Sequence, residues 1–206
     1  NVVPGGDTDC AQANTAMFLA GGLTSKNVSH TIAAVARSIA GARSLVAIEC
    51  GARGPTKDCG YENPIVKSIA SVPICAEGKN ATCAHSDLMG NLAAAVCDVW
   101  SNESVYNREE MGGPTPGVWL QSLGYECALM NTAKQIGTAK ALRDSYVLAD
   151  KYRDPQGVIL AYDNAYRIGQ AIVADGEDNY LRARAAALKA IECINEAVDE
   201  KRILLT

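Results

Sequence analysis

The chain has 206 residues, 48% hydrophobic and 20% charged, with a formal net charge of −4. That is one domain's worth of chain with enough apolar content for a sizeable core. It excludes the basic face of a nucleic-acid binder and the low hydrophobicity of a disordered chain. No apolar run is expected to reach the roughly 18–20 residues that span a bilayer, and no basic-then-apolar leader is seen. The opening "NVVPGG" reads as a strand already under way, as in a chain that begins inside a longer protein.

Residues 9–20, "DCAQANTAMFLA", predict a helix stopped by Gly21-Gly22. Residues 27–40 predict a second, with Ile32, Val35, Ala36 and Ile39 at helical spacing and Gly41 ending it. "SLVAIEC" (44–50) is a short apolar run before glycine, as expected of a buried parallel strand. Asn63 with Pro64 predicts the start of a short helix over "PIVKSIA", and "VPIC" (72–75) a second strand. His85-Ser86-Asp87 opens a helix to Asp98, Pro116 another to about Leu123, and "CALMN" (127–131) is a strand candidate. Strands alternating with helices argue for a parallel α/β sheet or barrel.

Beyond about residue 138 the pattern is helical. Asp154-Pro155 is a cap with a first-turn proline, followed by the stripe Val158, Ala161, Ala165, Ile168 and Ile172. After Gly176, a last helix presents Leu181, Leu188, Ile191, Ile194 and Val198. A whole (β/α)8 barrel needs about 200–250 residues. The expectation is therefore an α/β fold: the second half of a TIM-like barrel over residues 1–137, followed by a C-terminal helical layer over 138–206.

In such a barrel the chemistry sits at strand C-terminal ends and the loops after them. Of the eight cysteines, Cys10, Cys50, Cys59, Cys75 and Cys83 fall at such places. Cys97 and Cys193 fall within helices and Cys127 opens a strand candidate, and these three read as small core residues. Two thiolates with a carboxylate or imidazole make a zinc site, open in fourth position when catalytic, but spacing alone does not choose the pair. Asp9 and Asp87 read as helix caps. Asp7, Asp58, Glu62, Glu77 and Glu103 are loop acids. Glu49, inside an apolar strand, needs a partner such as Arg or a metal-bound group. His30 reads as structural. His85, beside the Cys75–Cys83 loop, is a candidate acid or base. No G-x-S-x-G elbow is present.

The segments "GGDTDCAQANTAMFLAGGLTSK", "CGYENPIVKSIA", "EGKNATCAHSDLMGNL", "VWSNESVYNREE", "GVWLQSLGYE", "MNTAKQ" and "DKYRDPQGVILAYDNAYRIG" resemble the zinc subunit of the methanol–corrinoid methyltransferases. The resemblance covers essentially the whole chain but not the family's full length. It implies a TIM-like barrel with added helices. It also implies zinc held by Cys10, Cys59 and a glutamate expected upstream. Methanol would be activated there, and its methyl group passed to the Co(I) corrinoid of a partner protein in the cytoplasm during methanogenesis. Asp7, Asp9 and His85 are candidates for the proton delivered to the leaving oxygen.

A homo- or hetero-oligomer is expected, with no nucleic-acid or membrane partner. Two other readings make different predictions. A non-catalytic half-barrel module would expose sheet edges and apolar surface and associate through them. A secreted scaffold, suggested by the eight cysteines and the sequons at Asn27, Asn80 and Asn102, would pair its thiols. Reduced thiols in a cytosolic protein are the expectation for so long and aliphatic a chain.

Overall fold

The computed structural model describes residues 26–52, 61–71, 90–92, 95, 116–174 and 176–203. These form seven helices: α1 (Lys26–Glu49), α2 (Asn63–Ala70), α3 (Pro116–Gln135), α4 (Ala139–Asp150), α5 (Pro155–Leu160), α6 (Tyr162–Ala174) and α7 (Asn179–Asp199). Residues 90–92 and 95 are also helical. No strand occurs among the described residues.

Two strand expectations are thereby overturned. Residues 44–49 of "SLVAIEC" are the last turns of α1, and "CALMN" lies inside α3. A short apolar run satisfies a buried strand and a buried helix equally, and helical neighbours on the N-terminal side decided both cases. Helix α3 begins at Pro116 as expected but runs to Gln135. The strand candidate 72–75, the helix at 9–20 and most of the one at 85–98 lie outside the described residues.

The local end signals are formed. Asp154 Oδ1 accepts the backbone N–H groups of Gln156 and Gly157 at 2.6 and 3.0 Å, capping α5 with Pro155 in its first turn. Asp178 accepts from Leu181 N at 2.8 Å and caps α7. Helix α2 carries Pro64 in its first turn, with Glu62 rather than Asn63 as N-cap, and ends at Ser71 in the left-handed region, φ 50°.

One core unites α1, α2, α5, α6 and α7. α7 packs along α1 and α6, and α2 lies against α6 and α1. The expected stripe Val158, Ala161, Ala165, Ile168 and Ile172 is wholly buried, each large aliphatic contributing about 1.5–3 kcal/mol. Two other expected faces are partly turned outward, although Ile194 and Val198 of the second pack on the core. On α1, Ile32 is 46% exposed, and the buried side is Ser29, Ala33, Ala34, Arg37, Ser38, Ala40, Ala42, Ser44 and Leu45. On α7, Leu181, Leu188 and Ile191 are exposed, whereas Arg182, Ala186, Ala190, Cys193, Ile194 and Ala197 are buried. Small residues let helix axes approach closely, so the inward faces here carry alanine, serine and glycine.

Gly41 shows the same constraint. It lies within α1 instead of ending it, and a Cβ there would meet Ile65 Cγ2 at 3.0 Å. Gly169 on α6 is tighter still: a Cβ would stand 2.5 Å from Ser68 Oγ and 2.6 Å from Ile69 Cγ2 of α2.

Residues Val28–Glu49 are, by length and composition, apolar enough to cross a membrane, contrary to the expectation for this chain, and half of that stretch is buried inside the structure. Its fully buried Arg37 and its packing on α7, α5 and α2 make it a core helix.

Gly169→Ala is expected to destabilise the protein by about 1–3 kcal/mol through overpacking. Gly124→Ala, in α3 with open space around it, should be neutral or stabilising by up to about 1 kcal/mol. Urea unfolding of both variants checks this, and equal effects would contradict the packing assigned to Gly169.

Candidate functional site

The buried polar groups converge on α1. Arg37, fully buried, donates its Nε–H to Gln156 Oε1 at 2.5 Å. Its guanidinium carbon lies 4.6 Å from the centroid of the Tyr61 ring, within cation–π range. Two turns further along the same face, Ser44 Oγ donates to Glu62 Oε1 at 2.9 Å. Both partners are buried, Glu62 completely. Glu62 is thus no loop acid. Its carboxylate is held inside the fold by α1.

Gln156 extends the network to His30. Because an Arg only donates, Oε1 must face Arg37 and the amide nitrogen must face the ring. The Nε2–H of Gln156 then donates to His30 Nδ1 at 2.9 Å. The neutral ring carries its proton on Nε2. Asp154 Oδ2 stands 3.5 Å from the same Nδ1 and makes no hydrogen bond. His30 is therefore structural, as expected, but within a specific polar chain from the α5 cap to Tyr61.

A second buried acid secures another segment. Asp150, at the end of α4, accepts from Leu92 N at 2.8 Å and from Asn91 Nδ2 at 3.0 Å. Glu49 has an arginine partner, but it lies exposed at the end of α1 instead of inside an apolar strand. Arg182 reaches it with both terminal nitrogens, at 2.7 and 3.0 Å.

A surface groove between α6 and α7 is lined by Lys151, Asp163, Arg167, Cys193, Glu196 and Glu200, among others. Most of its charges are paired: Arg167 with Glu192 and Glu196, and Lys151 with Asp163. The hydrogen bond from Arg167 holds the Glu196 carboxyl below the usual range. Burial pushes the Cys193 thiol up to about 11, which keeps it protonated at neutral pH and suits a small core residue.

Of the residues expected to carry chemistry, Cys10, Cys59, His85, Asp7 and Asp9 lie outside the described residues, as do Cys75, Cys83 and Cys97. Cys50, Cys127 and Cys193 are free thiols. Cys127 sits half-buried on α3, not at a strand start. Among the described residues, no group of three or more His, Cys, Asp or Glu could hold a metal ion. The described residues nearest in sequence to the expected site residues are Tyr61 and Glu62, which follow Cys59-Gly60, and Asn91 and Leu92, which follow His85 by six and seven positions.

The family model described as methanol-cobalamin methyltransferase B subunit matches residues 1–206. The chain belongs to this family. The methanol–corrinoid protein co-methyltransferase of Methanosarcina barkeri is 58% identical over 199 residues, 97% of this chain and 43% of the relative. The crystal structure of the methanol:cobalamin methyltransferase complex from the same species matches with a TM-score of 0.83 and 57% identity, over 99% of this chain and 44% of that one. The chain therefore spans less than half the length of these B-subunit relatives.

Sequence reasoning missed Arg37, Glu62, Gln156 and Asp150. The available signal was Arg37 and Ser44, two turns apart on one face within the mostly apolar stretch 32–48 of the helix.

Two checks follow. Nitrogen-15 NMR of His30 should show the Nε2–H tautomer, and an Nδ1–H tautomer would contradict the assigned Gln156 orientation. Glu196, held low in the folded state, stabilises the protein above the unfolded carboxyl pKa of 4.5, and this is lost as pH falls through its lower folded value. Thermal melts of Glu196→Gln should therefore fall less steeply than the parent's below about pH 4.5. Parallel curves would remove the pairing from the stability account.

Proposed function

We propose that this chain is part of a zinc-dependent methyltransferase subunit. The subunit binds and activates methanol and passes its methyl group to the Co(I) corrinoid of a partner protein, in methanol-fed methanogenesis. The family match over all 206 residues carries this reading, and the names of the Methanosarcina relatives agree with it.

Zinc suits the donor set. Cys10 and Cys59 offer two thiolates, and a glutamate expected outside this sequence would be the third ligand, the open arrangement of catalytic zinc sites. Of the described cysteines, Cys193 is ill suited to this role, being buried with a raised pKa. When bound, zinc supplies Lewis acidity at the alcohol oxygen, making hydroxide a better leaving group.

The chain's own residues would do the rest. Cys10 and Cys59 would hold the metal as thiolates. His85, Asp7 or Asp9 would deliver a proton to the departing oxygen. Asp150 fixes residues 91–92, and so limits where the neighbouring His85 segment can go. Arg37 and Ser44 do the same for the segment after Cys59. The corrinoid on the partner brings the nucleophile, and this protein binds, polarises and orients. A cytoplasmic setting suits ligand thiols and the free described cysteines. The working assembly would be an oligomer containing the corrinoid protein.

Cys10→Ser and Cys59→Ser, made in the intact methyltransferase, should each weaken zinc binding by more than about 100-fold, since even outer partners of ligands are worth about 10–100-fold. Methyl transfer from methanol to the corrinoid protein should fall with the metal content. Retention of one zinc and full transfer by either variant would overturn the ligand assignment.

A further inference from the structure

The ring of His30 stands between two partners that make opposite demands on its Nδ1. Gln156 Nε2–H donates to that nitrogen at 2.9 Å. Asp154 Oδ2 stands 3.5 Å from the same atom. This oxygen is buried and accepts no hydrogen bond, while Oδ1 of the same carboxylate caps α5. A buried carboxylate oxygen without a donor is costly. In the Nε2–H tautomer, Nδ1 becomes a donor only when the imidazole takes up a second proton.

Gln156 cannot adapt to that proton by turning its amide over. Its Oε1 takes the Nε–H of the fully buried Arg37 at 2.5 Å, so a flipped amide would set N–H against N–H on α1. A proton on Nδ1 sets N–H against N–H on Gln156 instead, and the ring has to leave it. Movement of under about 1 Å brings Nδ1–H to the roughly 2.8 Å of a charge-assisted bond with Asp154 Oδ2. The side chains of His30 and Asp154 are 12% and 2% exposed. Solvent protons reach the ring, while the carboxylate is little screened.

Two charges bear on the ring. Asp154 favours its cation, and Arg37, beyond Gln156, opposes it. On the other elements packed against α1, the charged groups are engaged elsewhere: Glu62 with Ser44, Asp163 with Lys151 and Glu196 with Arg167. Arg182 and Glu49 pair at the opposite end of α1. Arg153, beside the cap, lies 3.8 Å from Asp150.

We propose that His30, Gln156 and Asp154 form a proton-operated latch between α1 and α5. The neutral ring accepts from Gln156, and the charged ring donates to Asp154 Oδ2. The latch is independent of the zinc reading. Its state is felt on both sides, because Asp154 also holds the backbone of Gln156 and Gly157, and Gln156 also holds Arg37.

The test follows the ring nitrogens of His30 by nitrogen-15 NMR of the intact protein, from about pH 8 to about pH 5, the range in which histidine changes charge. The backbone amides of Gln156 and Gly157 should shift with the same midpoint as the ring. Asp154→Asn keeps a capping oxygen and replaces the second oxygen by an amide. It should lower the His30 midpoint by about one pH unit or more, since the carboxylate favours the charged ring. His30→Asn should abolish the pH response of both amides, and it decides the matter should Asp154→Asn fail to fold. A parent-like midpoint in folded Asp154→Asn would overturn the latch. So would a ring that stays neutral down to pH 5, amides that ignore the ring's titration, or an amide response that persists in His30→Asn.

Discussion

A guanidinium with no solvent exposure stands in the middle of this helical layer. Burying Arg37 is costly unless its charge meets partners, although its Nη1 makes no hydrogen bond. That requirement dictates several other features. Gln156 must turn its carbonyl oxygen toward α1, which places α5 beside α1. Tyr61 must lie under the charge, which brings the start of α2 to the same face. Asp154 both starts α5 and faces His30, which Gln156 already engages. Local capping and long-range polar contact are thus made by the same few residues.

Around this hub the helices meet through small side chains. Ala186, Ala190 and Ala197 of α7 face inward, and Gly41 and Gly169 admit α2 at two crossings. Close approach shortens every contact made by the large residues that are buried, such as Ile65, Ile168 and Ile172. It also leaves Ile32 on α1, and Leu181, Leu188 and Ile191 on α7, at the surface.

These features explain what could be read from the amino acids in advance. Asp154-Pro155 and Asn63-Pro64 announced helix starts because caps and first-turn prolines act over three or four residues. The stripe from Val158 to Ile172 was legible because large aliphatics mark its buried side. The faces of α1 and α7 were not, because alanine carries little signal and the large residues point elsewhere. "SLVAIEC" and "CALMN" misled for another reason: a short apolar run fits strand and helix alike until its neighbours choose. Glu62 and Arg37 looked like an ordinary loop acid and an ordinary helix base. Their roles depend on partners 18 and 119 residues away, which spacing does not reveal. The family was legible from long motifs, whereas the buried polar contacts of α1 needed the fold.

The central claim is that Arg37 couples the start of α2 to the start of α5. Amide hydrogen exchange of the intact protein carrying Arg37→Met tests it most directly, Met keeping much of the volume while removing the donors. The account predicts faster exchange at Ile65 and Val66 and, together with it, at Gln156 and Gly157, by about tenfold or more, with α3 and α4 unchanged, since losing a buried acceptor's partner costs about 1–3 kcal/mol. Exchange that rises at only one of the two helix starts, or equally throughout the molecule, would contradict it.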